Sequence, residues 1–161
     1  MNIWHDIDEK RIAAIDFISV IEISKGSRMK YELDKDTGYL MLDRVLYTAT
    51  HYPANYGFIP KTLGDDHDPL DVLVLCSDNI RPMTLVRSYP IGVMKMLDCG
   101  MGDEKIIAMP FGDPTYNGYH DISELPKHIF DEIMGVGEAV RVIEHCIDNY
   151  KKKFGTHYRT F

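Results

Sequence analysis

Up to about residue 110 the chain is a succession of short β-rich runs, and beyond residue 120 the apolar period changes. Phe17-Ile18-Ser19-Val20-Ile21-Glu22-Ile23 is the first such run, and it stops at Ser24-Lys25-Gly26-Ser27. The runs MKYEL and YLMLDRVL then flank Asp34-Lys35-Asp36-Thr37-Gly38, which predicts a hairpin with glycine closing the turn. Further strands are predicted at 71–76, 84–97 and 105–110, separated by turns with Pro and Gly. Short strands at this spacing suit a small barrel or sandwich.

In the C-terminal third the spacing is helical. Val136, Val140, Ile143, Ile147, Tyr150 and Phe154 recur every three or four residues, and Gly155 ends the run. A shorter helix is predicted ahead of it, capped by Ser123 with Pro126 in its first turn. The expectation is a mainly β (α+β) domain over residues 1–161, with two C-terminal helices on the barrel or sandwich. Neither a repeat nor a linker divides it.

The 161 residues suffice for a sizeable core, and 45% hydrophobic with 27% charged residues is a globular composition. The net charge of −7 opposes a nucleic-acid partner and suits a protein that collects cations. Cys76, Cys99 and Cys146 are scattered and odd in number, a reduced, cytoplasmic pattern. The start, MNIWHDIDEKR, carries acids and lacks a long apolar run, so neither signal peptide nor membrane span is expected.

The sharpest chemical feature is GDDHDPLDVLVL, residues 64–75, where Asp65, Asp66, Asp68 and Asp71 precede a wholly apolar run. Carboxylates so close repel one another unless cations stabilise their ionised forms. An EF-hand is excluded: counting from Asp66, Leu70, Asp71 and Ser77 stand where an oxygen ligand, Gly and Glu are needed. On a straight strand Asp71 would point away from Asp66 and Asp68, but Pro69 favours a bend that lets them converge. Oxygen ligands without a full protein cage suit Mg²⁺, which shares its coordination with water and phosphate.

Other charges are out of place. Glu22 interrupts an apolar strand, and taken alone it reads best as an edge residue facing water. Lys30 and Glu32 share one face of the next strand, with Arg44 on its hairpin partner; as cross-strand ion pairs they are worth roughly 0.2–1 kcal/mol. Asp98 and Asp103 lie in the Gly-punctuated LDCGMGDEK. Tyr150 lies on the apolar helix face, where packing is the default. Lys151, Lys152 and Lys153 complement the helix dipole. Together, acids with a few cations suit a metal-bridged phosphate ligand.

In this order, EI…MKYELDKDTG, LDR, HYPANYGFIP, DHDPLDVLVL, RPMTLVRSYPIGVMKMLD, Asp103-Glu104-Lys105 and Tyr150-Lys151 resemble the soluble inorganic pyrophosphatases of family I, bacterial type. The resemblance spans roughly residues 15–151, and DxDPxD downstream of YPxNYG is its most specific part. It implies a closed five-stranded barrel of OB type with flanking helices. It also implies Mg²⁺-dependent hydrolysis of pyrophosphate to two orthophosphates by a metal-activated water, with Mn²⁺ or Co²⁺ as substitutes. Asp66, Asp71 and Asp103 match the principal metal ligands. Asp98 matches a ligand for metal arriving with substrate, and Glu22 and Glu32 match acids that hold metals through water. Lys30, Arg44, Lys105, Tyr150 and Lys151 match the phosphate-binding groups. Tyr56 matches the tyrosine beside nucleophile and phosphate, and Asp68 the general base. A cytoplasmic homo-oligomer, a hexamer in preference to a dimer, is implied as well.

This sequence departs from the pattern at His67, where bacterial relatives often have Gly, and at Cys99, where they have Glu. Histidine tolerates positive φ better than most residues, so a tight turn is expected at position 67, with an added metal ligand as the sharper reading. Two rival functions stay open: a Mg²⁺ phosphohydrolase for nucleotides or polyphosphate, and an OB-type module for single-stranded nucleic acid. The second needs a basic groove with stacking aromatics, which the acidic balance opposes.

Overall fold

In the computed structural model, which describes residues 2–47, 52–98, 101–126 and 133–155 and only the backbone of 96–98, 101 and 133, the β-rich runs form two sheets. The strands are β1 (Phe17–Ile23), β2 (Met29–Leu33), β3 (Leu40–Val45), β4 (Asn55–Ile59), β5 (Leu70–Val74), β6 (Leu85–Asp98), β7 (Met101–Pro110) and β8 (Ile133–Gly135). The larger sheet runs β1-β4-β5-β7-β6-β8, and β1 also pairs with β6. Pairing therefore passes round five strands and returns to β1. Among the described strands of this sheet only β5 and β7 run parallel; the other pairings are antiparallel.

Every residue of β1 is buried, including Ser19 and Glu22 within its largely apolar run. Val72, Val74, Val93 and Ile106 are fully buried with it. Such side chains each gain about 1.5–3 kcal/mol on leaving water. The β2–β3 hairpin forms the second sheet, and Gly38, at φ +79°, closes its turn by donating to the Asp34 carbonyl at 2.8 Å.

Two helices flank the sheets. The short α1 (Ile3–Asp6) is capped by the Asn2 side chain, and α2 (Val136–Phe154) ends at Gly155 with φ +71°. The buried stripe of α2 is Ala139, Val142, Ile143, Cys146 and Tyr150. It is turned slightly from the predicted one: Val140 and Ile147 are only half-buried, and the small Ala139 and Cys146 let the helix approach the strands closely.

The helix predicted to start at Ser123 does not. Asp121 takes the cap instead, accepting from the Ser123 N–H at 3.0 Å and the Val136 N–H at 2.8 Å. Glu124 returns a bond to the Asp121 N–H, so a capping box closes over one 3-10 turn, Ile122–Glu124. The rest of that predicted helix falls on 127–132, outside the described residues. The only long helix in the described C-terminal part is therefore α2.

Candidate active site

Strand register assembles the site. Asp71 of β5 is the Cα partner of Lys105 on the parallel strand β7, and two-residue periodicity puts Asp103 on the same face as Lys105. The Lys105 ammonium consequently stands 3.0 Å from Asp71 and 3.3 Å from Asp103. On β4, Phe58 is the partner of Asp71 and Tyr56 lies two residues away on the same face. The Tyr56 hydroxyl is 3.4 Å from the Lys105 nitrogen, which sits 5.2 Å from the tyrosine ring centre.

Glu22 reaches this place through a bulge. The β1–β4 register slips between Ile21 and Ile23, which re-aims the intervening residue. β1 is paired on both sides, so the edge-strand reading of Glu22 is corrected: the residue is only 6% exposed, and it accepts from the Leu33 N–H at 2.7 Å.

The acidic loop between β4 and β5 is tight. Gly64 donates to the Asp68 carbonyl at 2.7 Å, and the Asp68 N–H bonds the Asp66 carboxylate at 3.1 Å. His67 adopts φ +68°, the left-handed turn expected of it. Its side chain is exposed and does not line the recess that the acids enclose. Pro69, Asp66, Asp68 and Asp71 all line this recess.

Among the described residues six carboxylates and three lysines face this one recess: Glu22, Glu32, Asp66, Asp68, Asp71 and Asp103 against Lys30, Lys35 and Lys105. The excess of acid shows in the titration of the groups. Burial pushes Glu22 up to about 8, with Asp71 and Glu32 adding to it and the Leu33 N–H opposing. Burial also raises Asp71, against the pull of Lys105, and it raises Asp66, with Asp68 and Asp103 adding to the effect. Lys105 is held above its ordinary value: burial works to lower it, and Asp71 and Asp103 prevail. Tyr56 is pushed far above the usual phenol range, first by burial and then by Asp71, so its hydroxyl is a neutral donor at any working pH.

The remaining predicted residues are placed less centrally. Arg44 is exposed on β3 opposite Lys30 and outside the recess lining. Lys30 pairs with Asp43 at 3.0 Å, because a register shift after Lys30 leaves Asp43 unpaired on β3 and free to turn toward it. Asp98 ends β6 opposite Met101; its side chain, like Cys99 entirely, lies outside the described residues.

Tyr150 and Lys151 are not brought to the recess. Tyr150 is 2% exposed and its hydroxyl lies 2.6 Å from the His5 ring nitrogen Nδ1; Tyr150 and Lys151 line a separate hollow with Lys10 and Lys61. Their position on α2 decides this, since that helix packs its end against α1. Three residues near the site escaped the sequence reading. Lys35 lines the recess and pairs with Asp68, and Asp43 holds Lys30. Tyr52 stands 5.6 Å from the Tyr56 ring, in the field of Lys30, Lys105 and Arg44. The signal for Tyr52 was its place in YPxNYG, and for Lys35 the single cation in the hairpin turn.

The donor set is that of a hard divalent cation: oxygen ligands in carboxylate excess at a recess with room for water and phosphate. Among the described residues no three such side chains stand close enough together to hold an ion as they are, and Lys105 lies between Asp71 and Asp103.

Comparison with known proteins gives the family. A family profile described as inorganic pyrophosphatase matches residues 19–136, a span that ends before Tyr150 and Lys151. A Chlamydomonas reinhardtii protein named soluble inorganic pyrophosphatase 2 is 44% identical over 172 residues, covering 94% of this chain and 89% of the relative. Those 172 aligned positions exceed the chain's own 161 residues, so the relative carries residues that this chain lacks. Soluble inorganic pyrophosphatase 4 of Arabidopsis thaliana is 52% identical over 130 residues; this covers 81% of this chain and only 60% of that relative's length. Among solved structures, the inorganic pyrophosphatase of Helicobacter pylori superposes with a TM-score of 0.83 at 40% identity, covering 87% of this chain and 96% of that one. The Thermus thermophilus inorganic pyrophosphatase gives 0.86 at 31% identity, with 92% and 99% covered. The chain belongs to the inorganic pyrophosphatase family of enzymes.

Proposed function

We propose that this chain hydrolyses pyrophosphate to two orthophosphates by direct attack of a water, with Mg²⁺ held by the recess acids. The observation that carries the reading is the set of six carboxylates facing three lysines across one recess. Asp66, Asp71 and Asp103 would hold the metal directly, Glu22 and Glu32 would hold it through water, and Asp98 is a further ligand on the resemblance. When bound there, Mg²⁺ supplies charge neutralisation for phosphate and acidifies coordinated water.

The chain's own groups divide the remaining work. Asp68, half-exposed at the recess mouth, takes the proton of the attacking water as general base. Tyr56 stays protonated and donates to a phosphate oxygen. Lys105, held charged by its acid neighbours, and Lys30 bind phosphate oxygens, and Arg44 on the facing strand extends the cationic side. On the resemblance Tyr150 and Lys151 are further phosphate-binding groups; they line a second hollow, and Tyr150 packs with Leu33 and Phe58 of the recess lining. The pairing that returns from β6 to β1 supports a closed five-stranded barrel of OB type, in a single domain. The exposed Met41, Leu42 and Val45 of β3 support a homo-oligomer, for which a hexamer is favoured over a dimer. The scattered cysteines support a cytoplasmic setting.

The test is orthophosphate release from pyrophosphate, ATP and tripolyphosphate, each with Mg²⁺, with Mn²⁺ or Co²⁺, and with excess chelator. The reading expects turnover of pyrophosphate above the others and none in chelator. Equal or better turnover of ATP or tripolyphosphate would move the assignment to a broader phosphohydrolase.

A further inference from the structure

The loop that carries Asp66 and Asp68 is tied down on two sides. At its base, Thr62 donates to the Ile59 carbonyl at 2.6 Å and accepts from the Leu70 N–H at 3.0 Å. On its outer side it runs along α2. The Leu63 N–H donates to the Cys146 carbonyl at 2.9 Å, and the Asn149 amide donates to the Leu63 carbonyl at 3.2 Å. The second Asn149 proton reaches the Asp65 carboxylate at 3.1 Å, and the same oxygen lies 3.0 Å from His145 Nε2. His145 and Asn149 are one helical turn apart, so one face of α2 presents both donors to one aspartate. Asp65 itself is exposed and outside the main recess, yet it is covalently next to Asp66.

We propose that α2 positions the metal-binding loop through Asp65, with His145 and Asn149 as positioning residues that fix where Asp66 stands. The proposal rests on the metal site described above. The physical need is plain: Asp66, Asp68 and Asp71 repel one another and would splay unless the loop were anchored to something rigid. α2 is rigid because its other face is buried in the core. The bonds themselves are solvent-exposed, with 56% and 64% of the His145 and Asp65 side chains accessible, so they add little to global stability. Their effect belongs in metal affinity, where partners that orient ligands matter most.

The experiment compares wild type with His145→Leu, Asn149→Ala, the double variant and His145→Gln, all in the full chain. The glutamine amide can replace the Nε2 donor. Three quantities are read: Mn²⁺ binding by calorimetry without substrate, the Mg²⁺ concentration for half-maximal pyrophosphate hydrolysis, and the metal-free melting temperature. The double variant should bind Mn²⁺ about tenfold more weakly and need about tenfold more Mg²⁺. Its kcat at saturating Mg²⁺ and its melting temperature should stay near wild type, and His145→Gln should restore the affinity. Unchanged metal affinity in both single variants and the double, beside a wild type that binds Mn²⁺, overturns the positioning role alone. So does a large fall in melting temperature in step with the affinity, or a loss in kcat that Mg²⁺ does not restore. A wild type that neither binds Mn²⁺ nor hydrolyses pyrophosphate overturns the site reading and this inference together.

Discussion

Gly57 is where the β1–β4 pairing and the site meet, and replacing it by alanine should be severe. A Cβ at this position would lie 1.8 Å from the Val20 carbonyl oxygen, 2.8 Å from its carbon and 3.0 Å from the Ile21 Cα. All three are backbone atoms, so no side chain can swing away. The added methyl must push apart two strands whose neighbouring residues, Ile21, Phe58 and Ile59, are buried. Losing well-packed contact at such a core seam is expected to cost about 4 kcal/mol, in the range where large single-site effects begin. For a chain of this size about 2–4 °C of melting temperature is lost per kcal/mol, which gives a fall of roughly 10 °C. The assay is thermal and urea unfolding of wild type and Gly57→Ala, both without metal. Because Tyr56 and the Glu22 bulge adjoin this seam, phosphate release should fall as well, even below the melting point. A variant within about 1 kcal/mol of wild type would refute the steric reasoning.

Three further outcomes follow from individual residues. His67→Gly should match or exceed wild-type stability, whereas His67→Val should lose about 1–2 kcal/mol, because the position holds φ +68°; urea midpoints decide it. Asp113 is buried and bonds the Ser77 N–H at 2.7 Å and the Thr115 N–H at 3.0 Å; these bonds, the one to Ser77 foremost, hold its carboxyl down at about 2. Its lowered value means the stabilisation, of order 2 kcal/mol, is complete above about pH 4 and is lost as pH falls through 2, so Asp113→Ala and wild type should converge there. Ca²⁺, with oxygen distances of about 2.3–2.6 Å against about 2.0–2.1 Å for Mg²⁺, should occupy the same acids and inhibit in competition with Mg²⁺. Equal turnover with either ion would contradict this.

The β1, β2 and α2 runs were legible because each carries its own periodicity, and the hairpin turn because Gly38 is the residue that takes φ +79°. β4 was not predicted: Asn-Tyr-Gly reads locally as a turn, and it becomes strand because Gly57 allows β1 to approach. β7 starts at Met101 rather than 105 because pairing with β6 overrides the glycine-rich local signal. At the site, the acids of the 66–71 loop were legible from their density. Glu22 stood out as an interruption and matched a site acid through the resemblance, but its burial was not legible, since it depends on a register slip between two distant segments. Tyr150 and Lys151 match phosphate-binding groups through the resemblance alone; read by itself Tyr150 is a packing residue, and it is buried against the Trp4 and Phe154 rings. The Asp65–His145–Asn149 contact joins positions about eighty residues apart and has no local signature.

The most direct test of the central claim is the Mg²⁺ dependence of pyrophosphate hydrolysis in Asp71→Asn, with Asp68→Asn beside it and wild type as reference. On the proposed reading Asp71, half-buried beside Lys105 and Asp103, holds metal, and Asp68 at the recess mouth serves as the base. Asp71→Asn should therefore recover part of its lost rate as Mg²⁺ is raised. Asp68→Asn should stay about 10²–10⁴-fold slow at every Mg²⁺ concentration, the usual worth of a general base. Full rescue of Asp68→Asn by Mg²⁺, or an Asp71→Asn rate that ignores Mg²⁺, would contradict the account.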